Sequence, residues 1–225
     1  MSNFDSDGGQ EGEWEDRGEV AWNEFDWERY LREQDEAVSR YLRFYEACPS
    51  RPDRIDVVAE KMGWGQGDWS EESEASAADP ARESNPPSSD DVYTLHKNPI
   101  FIATKAIGVA LQRSWESAAA DSALVPQPLS LALLASLHRG EEQASQAIHA
   151  LDFGDYAMAV SLFKRALSSL NGSFALLSAD SVARHRAVLA WREEALPRLF
   201  DLREIWLRVI AECRDELDRP VDDED

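Results

Sequence analysis

The fold is decided by one stretch of the chain, PLSLALLASLHRGEEQASQAIHALDFGDYAMAVSLFKRALSSLN, residues 128–171. Its apolar residues recur at spacings of three and four on both sides of Gly154, which is the pattern of two amphipathic helices. Pro128 suits a first helical turn, where a missing N–H group costs nothing. Gly154 and Asp155 together allow one helix to end and the next to begin. The stretch therefore predicts two long helices joined by a tight turn.

The second half of this stretch resembles the second helix of a tetratricopeptide repeat. The resemblance rests on a turn followed by alanine and aromatic positions: Gly154, Asp155, Tyr156, Ala159, Phe163, Ala166 and Leu167. In the helix before it, the positions where that family places Trp, Leu and Tyr hold Gln143, Gln146 and Ala150. No second copy of the pattern lies at an offset of about 34 residues on either side, and about three repeats are needed to bury the faces of such an array. We therefore interpret the resemblance as close helix packing within a bundle.

The segment before this stretch predicts a helix that is buried on almost all sides. Asn98 can cap it, and Pro99 can occupy its first position. Its polar residues form one narrow stripe on an otherwise apolar cylinder, and they are Lys105, Gly108, Gln112 and Glu116. A helix of this kind belongs at the centre of a bundle.

The segment after this stretch predicts one more long helical element. It begins at Asp180 or Ser181 and ends near Leu217. Its interior Pro197 should kink the helix or split it in two, because the ring clashes with the preceding turn. No part of the chain alternates apolar and polar residues in the manner of a strand. The predicted fold is therefore all-α: an antiparallel helical bundle of about four long helices.

A separate helical arm is predicted near the N-terminus. Its apolar residues, spaced by three, four and seven, are Trp27, Leu31, Val38, Tyr41 and Tyr45. They predict an amphipathic helix of about 25 residues that stops near Cys48, followed by a short helix that opens at Pro52 or Asp53.

Composition divides the chain into a disordered acidic tail (1–19), the helical arm (20–63), an acidic linker rich in Ser and Pro (64–91), the bundle domain (92–219) and an acidic C-terminal tail (220–225). We expect the bundle domain to fold alone.

The acidity of the chain is uneven. The net charge is −21, and the residues up to Asp91 include 25 Asp and Glu against 9 Lys and Arg. Such a surface repels a phosphate backbone and an anionic bilayer, so we expect binding to neither nucleic acid nor membrane. The acids either keep the chain soluble or select a basic protein partner, and both interpretations stay open. The sequence also leaves the oligomeric state open.

The cysteines and the first residues predict a cytoplasmic protein. Cys48 and Cys213 lie far apart, without a second Cys or a His at metal-ligand spacing, which indicates reduced, packed thiols. The first residues are acidic and lack the basic start and apolar core of a signal peptide. No apolar run approaches the roughly 18 residues that span a bilayer.

Residue patterns give no positive indication of catalysis. None of the four histidines follows a Glu by three residues, which excludes the di-iron sites typical of helical bundles. Neither a phosphate-binding glycine loop nor a nucleophile in a known local frame occurs, so we predict a protein that is not an enzyme and has no cofactor. The alternative is a metal-binding protein or enzyme that uses the helical stripe of His138, Glu142 and His149.

Tryptophan is concentrated in the acidic N-terminal third of the chain, which contains five of the eight. We predict that Trp14, Trp64 and Trp69 bind a partner, because aromatic rings supply buried area while neighbouring acids steer the approach. The alternative is that these rings pack on the protein's own bundle, as we expect for Trp27. The predicted function is a protein–protein interaction or scaffold module with an unidentified protein partner.

Overall fold

The computed structural model describes residues 22–49, 51–65 and 95–219. These residues form α-helices and short 3₁₀-helices, and they contain no strand. The α-helices are α1 (Glu24–Glu46), α2 (Arg54–Met62), α3 (Pro99–Ala118), α4 (Gln127–Asp152), α5 (Tyr156–Ser178) and α6 (Arg186–Leu217). The prediction of an all-α fold is confirmed. The predicted acidic tails lie outside the described residues, as does the predicted linker except for residues 64 and 65.

Four of the helices form a closed antiparallel ring. Helices α3, α4 and α5 each pack on the next helix along the chain, and α6 returns to pack on α3. Trp206 Nε1 of α6 donates to Thr104 Oγ1 of α3 over 3.1 Å. Trp191 Nε1 of α6 donates to Ser114 Oγ of α3 over 2.8 Å. Because the later residue of α6 meets the earlier residue of α3, these helices run in opposite directions, as the predicted bundle requires.

Helices α1 and α2 pack against this ring and complete its core. Helix α1 lies on α3, and its Tyr41 and Tyr45 are buried in the same core as the apolar residues of α3 and α6. Helix α2 adds Ile55 and Val58 to that core. Helix α3 thus borders α1, α4 and α6, which explains why its sequence is apolar on almost all sides. Even so, no helix in the described part of the chain is long and apolar enough to cross a membrane.

The ends of the helices follow local signals in the sequence. Asn23 and Asn98 cap α1 and α3 with side-chain oxygens that accept from backbone N–H groups 2.8 and 3.0 Å away. Gly154 ends α4 at a φ of +71°, and Asp155 caps α5 directly after it with a hydrogen bond of 2.9 Å. This arrangement confirms the predicted tight turn. Helix α5 then continues through Gly172 without a break.

Helix α6 starts later than predicted, and of the two predicted effects of Pro197, a kink or a split, the structure excludes the split. The predicted capping residues, Asp180 and Ser181, lie instead in a 3₁₀-helix (Asp180–Arg184), and α6 begins at Arg186. Pro197 does not split α6, which continues unbroken across it. The proline lies on an exposed side of the helix. Proline has no N–H group, so one backbone carbonyl group in the preceding turn lacks its usual donor. Because this side of the helix is exposed, water can bind that carbonyl group instead.

Candidate functional site

The candidate metal stripe lies on the exposed face of α4. His138, Glu142 and His149 are all exposed there, and His149 Nδ1 lies 2.7 Å from the backbone oxygen of Ser145. Within the described ranges, no group of three His, Cys, Asp or Glu side chains is arranged to hold a metal ion. The side chains of His138, Glu142 and His149 therefore do not come together as a metal site.

Trp64, one of the predicted docking residues, lies against the core. Gly63 ends α2 at a φ of +81°, and the turn that it allows places the Trp64 N–H group 2.9 Å from a carbonyl oxygen of the last helical turn. The indole is half-buried and stacks on Tyr41, with the ring centroids 5.7 Å apart and the planes at 21°. This contact gives Trp64 a packing role. Trp14 and Trp69, the other predicted docking residues, lie outside the described residues.

An exposed stripe on the N-terminal half of α1 combines apolar and acidic side chains. Its members share the spacing of one helix face, and they are Glu24, Trp27, Glu28, Leu31 and Asp35. We call this surface the α1 stripe. Trp27 and Leu31, which the sequence predicts to pack, are 38% and 49% exposed, and Phe25, on another side of α1, is 76% exposed. The spacing of acids among these apolar residues is the sequence signal that indicates this surface.

The tryptophan of the α1 stripe is held in place by aromatic neighbours. Trp27 meets the rings of Trp22 and Tyr30 edge to face, at centroid distances of 5.0 and 6.0 Å. Tyr30 is buried, whereas Trp27 stays partly exposed. A ring with a fixed orientation loses little conformational freedom when a partner covers it. The exposed part of Trp27 is therefore well prepared for a contact.

The acidic character of the α1 stripe comes from its local sequence. Residues 24–36 contain six Asp and Glu and two Arg. Arg29 pairs with Asp26 at 3.3 Å, and Arg32 pairs with Glu28 at 2.7 Å. Both pairs are exposed and contribute little to stability, and the acids outnumber the arginines. The α1 stripe therefore presents apolar side chains within a field of negative charge.

The C-terminal half of α1 is fixed to the bundle by a buried polar cluster. Arg54 of α2, which is 5% exposed, donates from Nε to Asp201 Oδ2 of α6 over 2.8 Å. The Tyr45 hydroxyl donates to the same oxygen over 2.5 Å, and the Arg54 guanidinium lies 4.0 Å from the centroid of the Tyr45 ring. Burial, helped by the Asp201 carboxylate, raises the pKa of Tyr45 above its ordinary value, so its phenol stays protonated. The cluster therefore holds α1, α2 and α6 together.

A second polar cluster joins α3 to α4 and accounts for the polar stripe of α3 as far as Gln112, whereas Glu116, the last residue of the stripe, is exposed. Lys105 Nζ lies 2.6 Å from Glu141 Oε1, and Gln112 donates to the other carboxylate oxygen. Gly108 lies on α3 between these partners, and a Cβ atom there would come within 3.1 Å of Glu141 Oε2. The adjoining cavity has room for about one water molecule and is too small for a substrate. This cluster is a contact between helices whose polar groups pair with one another.

An open groove of about 560 Å³ runs between α4 and α5. It is lined by small and apolar residues together with one arginine: Ala132, Ala135, Ser136, Arg139, Gly172, Ala175, Leu176 and Ala179. The helices approach closely here, as shown by the hydrogen bond that Ser136 Oγ donates to the backbone oxygen of Ser169 over 2.7 Å. The same hydroxyl lies 3.2 Å from the position that a Cβ atom of Gly172 would take. We call this surface the α4–α5 groove.

Comparison with known proteins finds no protein family, curated protein or solved structure that matches the chain. A function for the chain is therefore proposed from the chemistry of its described surfaces. The polar groups of the two clusters pair within the fold, whereas the α1 stripe and the α4–α5 groove lie at the surface.

Proposed function

We propose that the chain is a protein–protein interaction module and that the α1 stripe is its binding surface. The observation that carries this proposal is the exposure of Trp27 and Leu31 on a helix whose later turns are buried at Tyr41 and Tyr45. Complete burial of a fully exposed, large apolar side chain contributes about 1.5–3 kcal/mol, and a partner that covers the exposed parts of Trp27 and Leu31 gains a share of that energy. Tryptophan that is already fixed in orientation is also typical of binding hot spots.

The composition of the α1 stripe defines the partner that it fits. Its tryptophan and leucine favour an apolar groove. The carboxylates of Glu24, Glu28 and Asp35 favour a rim that is basic or free of acids. The net charge of −21 disfavours phosphate backbones and anionic membranes. The proposed partner is therefore a protein with an apolar groove and little acidic charge around it.

We propose a non-enzymatic role in the cytoplasm, and the state of the reactive groups supports it. Burial raises the pKa of the Cys213 thiol to about 11, so the nucleophilic thiolate is scarce at neutral pH. Cys48 and Cys213 are both buried and free, as is usual for thiols in a reducing compartment. Tyr45 is engaged as a donor to Asp201. The Cys213 thiol and the Tyr45 hydroxyl thus contribute to the fold and are held in their protonated forms.

Affinity capture from the native cell tests the proposal with a matched pair of variants. Trp27→Ala/Leu31→Ala removes the apolar side chains of the α1 stripe. The control, Phe153→Ala/Met158→Ala, removes side chains that are 87% and 54% exposed at the turn between α4 and α5. We expect the stripe variant to capture at least about tenfold less of the partner protein than the wild-type chain does. The control variant should capture as much as the wild-type chain. Equal capture by the stripe variant and the wild-type chain overturns the proposal.

A further inference from the structure

The small and apolar lining of the α4–α5 groove suits the large side chains of the α1 stripe. Its small side chains leave an open apolar channel between two helices, which suits the anchoring side chains of a third helix. Helices that dock in such grooves use anchors spaced by three, four or seven residues. Trp27 and Leu31 have a spacing of four and lie on one exposed face.

The charge of the groove also complements the α1 stripe. Residues 122–140 and 156–179 contain no Asp or Glu, although the whole chain has a net charge of −21, and the exposed Glu142 follows one turn of α4 beyond Arg139. Arg139 lines the groove and is exposed. Arg165 is also exposed and lies two helical turns before Gly172, on the same side of α5. An acidic helix therefore meets attraction here, where an acidic surface would repel it.

The α1 stripe of the same copy does not occupy this groove. Helix α1 packs on α3, and its Tyr45 reaches Asp201 of α6. It therefore occupies the side of the ring formed by α3 and α6, whereas the groove lies between α4 and α5. An occupant with the chemistry of the α1 stripe must come from another molecule.

We propose that the α1 stripe of one copy docks into the α4–α5 groove of a second copy. This inference rests on the proposed function, because it names the partner of the same binding surface. The two surfaces lie on different helices and different sides of the ring, so the contact joins unlike surfaces of the two copies. A contact of this kind leaves one free stripe and one free groove on every pair.

Sedimentation equilibrium of the full chain tests this contact. We expect the average mass to rise with protein concentration above the mass of one chain. Trp27→Ala/Leu31→Ala alters the stripe, and Ala135→Glu/Arg139→Glu places acids in the groove. Each variant should weaken self-association by at least about tenfold. Thermal unfolding of each variant verifies that the bundle is intact.

A matched control and a mixing experiment complete the test. Ala157→Glu/Ser161→Glu adds carboxylates to another exposed part of α5 and should associate like the wild-type chain. The stripe variant keeps an intact groove, and the groove variant keeps an intact stripe. An equimolar mixture of the two variants therefore contains one intact stripe and one intact groove per pair of chains. We therefore expect the mixture to form a one-to-one complex that neither variant forms alone.

The outcomes separate this inference from the proposed function. A wild-type chain that stays monomeric up to about 1 mM overturns the proposed partner, while the capture experiment still decides the function. Self-association that the stripe variant weakens and the groove variant leaves unchanged overturns the groove but supports the α1 stripe as a binding surface. Self-association that neither variant changes overturns the proposed contact entirely.

Discussion

At Gly108, the backbone of α3 comes so close to Glu141 that a Cβ atom would lie 3.1 Å from its Oε2 oxygen. Lys105 and Gln112 hold this carboxylate, so it has little freedom to move away. Alanine is favoured over glycine within a helix by about 1 kcal/mol, but forced overlap in a packed site costs about 1–3 kcal/mol. We expect Gly108→Ala to lower the free energy of unfolding by about 1 kcal/mol in chemical denaturation.

Gly140 provides the matched control for this prediction. A Cβ atom there would meet its nearest neighbours at 3.7 Å, an ordinary contact distance. Helix propensity should dominate at this position, so Gly140→Ala is expected to raise the free energy of unfolding by up to about 1 kcal/mol. A Gly108→Ala variant as stable as Gly140→Ala would contradict the claim that Glu141 is fixed in place.

The buried ion pair between Arg54 and Asp201 gives a second prediction at this scale. The Arg54→Ala variant leaves the carboxylate of Asp201, which is 17% exposed, without its cationic partner. We expect a loss of about 3–5 kcal/mol in the free energy of unfolding, because a charge that stays buried without a partner is costly. Arg51 pairs with Asp53 at the surface, where both side chains are about half exposed, so Arg51→Ala should have no measurable effect. Equally small losses from both variants would show that Asp201 is well hydrated.

Trp64 shows which contacts local sequence patterns predict and which they do not. Gly63 followed by an apolar residue indicates a turn that returns the chain to its helix, so the packing of Trp64 has a sequence signal. Its partner Tyr41 lies on another helix, and no local pattern identifies it. Arg54 and Asp201 are separated by 147 residues, and their pairing depends on how α2 settles against α6. The residue types of the site can be predicted, whereas these partners follow from tertiary packing.

At the scale of elements, helices with unambiguous end signals follow the sequence closely. Asn98 begins α3, and Gly154 with Asp155 separates α4 from α5, because each signal satisfies backbone groups in only one way. The start of α6 is different. Asp180 and Ser181 are common N-cap residues, but both lie within a 3₁₀-helix that precedes α6, and no side-chain hydrogen bond caps that helix. The sequence therefore predicts the presence of α6 better than its first residue.

Pro197 gives the prediction for α6. Its ring removes one backbone hydrogen bond from the middle of an otherwise continuous helix, and proline within a helix is about 3 kcal/mol less favourable than alanine. We expect Pro197→Ala to raise the free energy of unfolding by about 1–3 kcal/mol, because the exposed side chain makes no core contact that alanine would lose. Chemical denaturation measures the change. A loss of stability would mean that α6 needs the geometry that the proline imposes.

At the scale of the whole molecule, the arm and the ring share one core. The sequence predicts that residues 92–219 fold alone, and this stays a prediction. In the structure, the fragment alone would be less stable than the full chain, because it lacks the core residues of α1 and α2. These residues include Tyr41, Tyr45, Ile55 and Val58. We expect the fragment to unfold cooperatively but to be several kcal/mol less stable than the full chain, as judged by thermal unfolding. A fragment as stable as the full chain would show that the arm is only loosely attached.

The central claim is that α1 is divided into a core half and an exposed binding half. The most direct test is the free energy of unfolding of Trp27→Ala/Leu31→Ala, measured by chemical denaturation beside Tyr41→Ala. We predict a loss of about 1–2 kcal/mol for the pair in the α1 stripe, because both side chains are only partly buried, and about 3–5 kcal/mol for the buried Tyr41. A loss of several kcal/mol from the stripe pair would contradict the claim, because it would place Trp27 and Leu31 in the core.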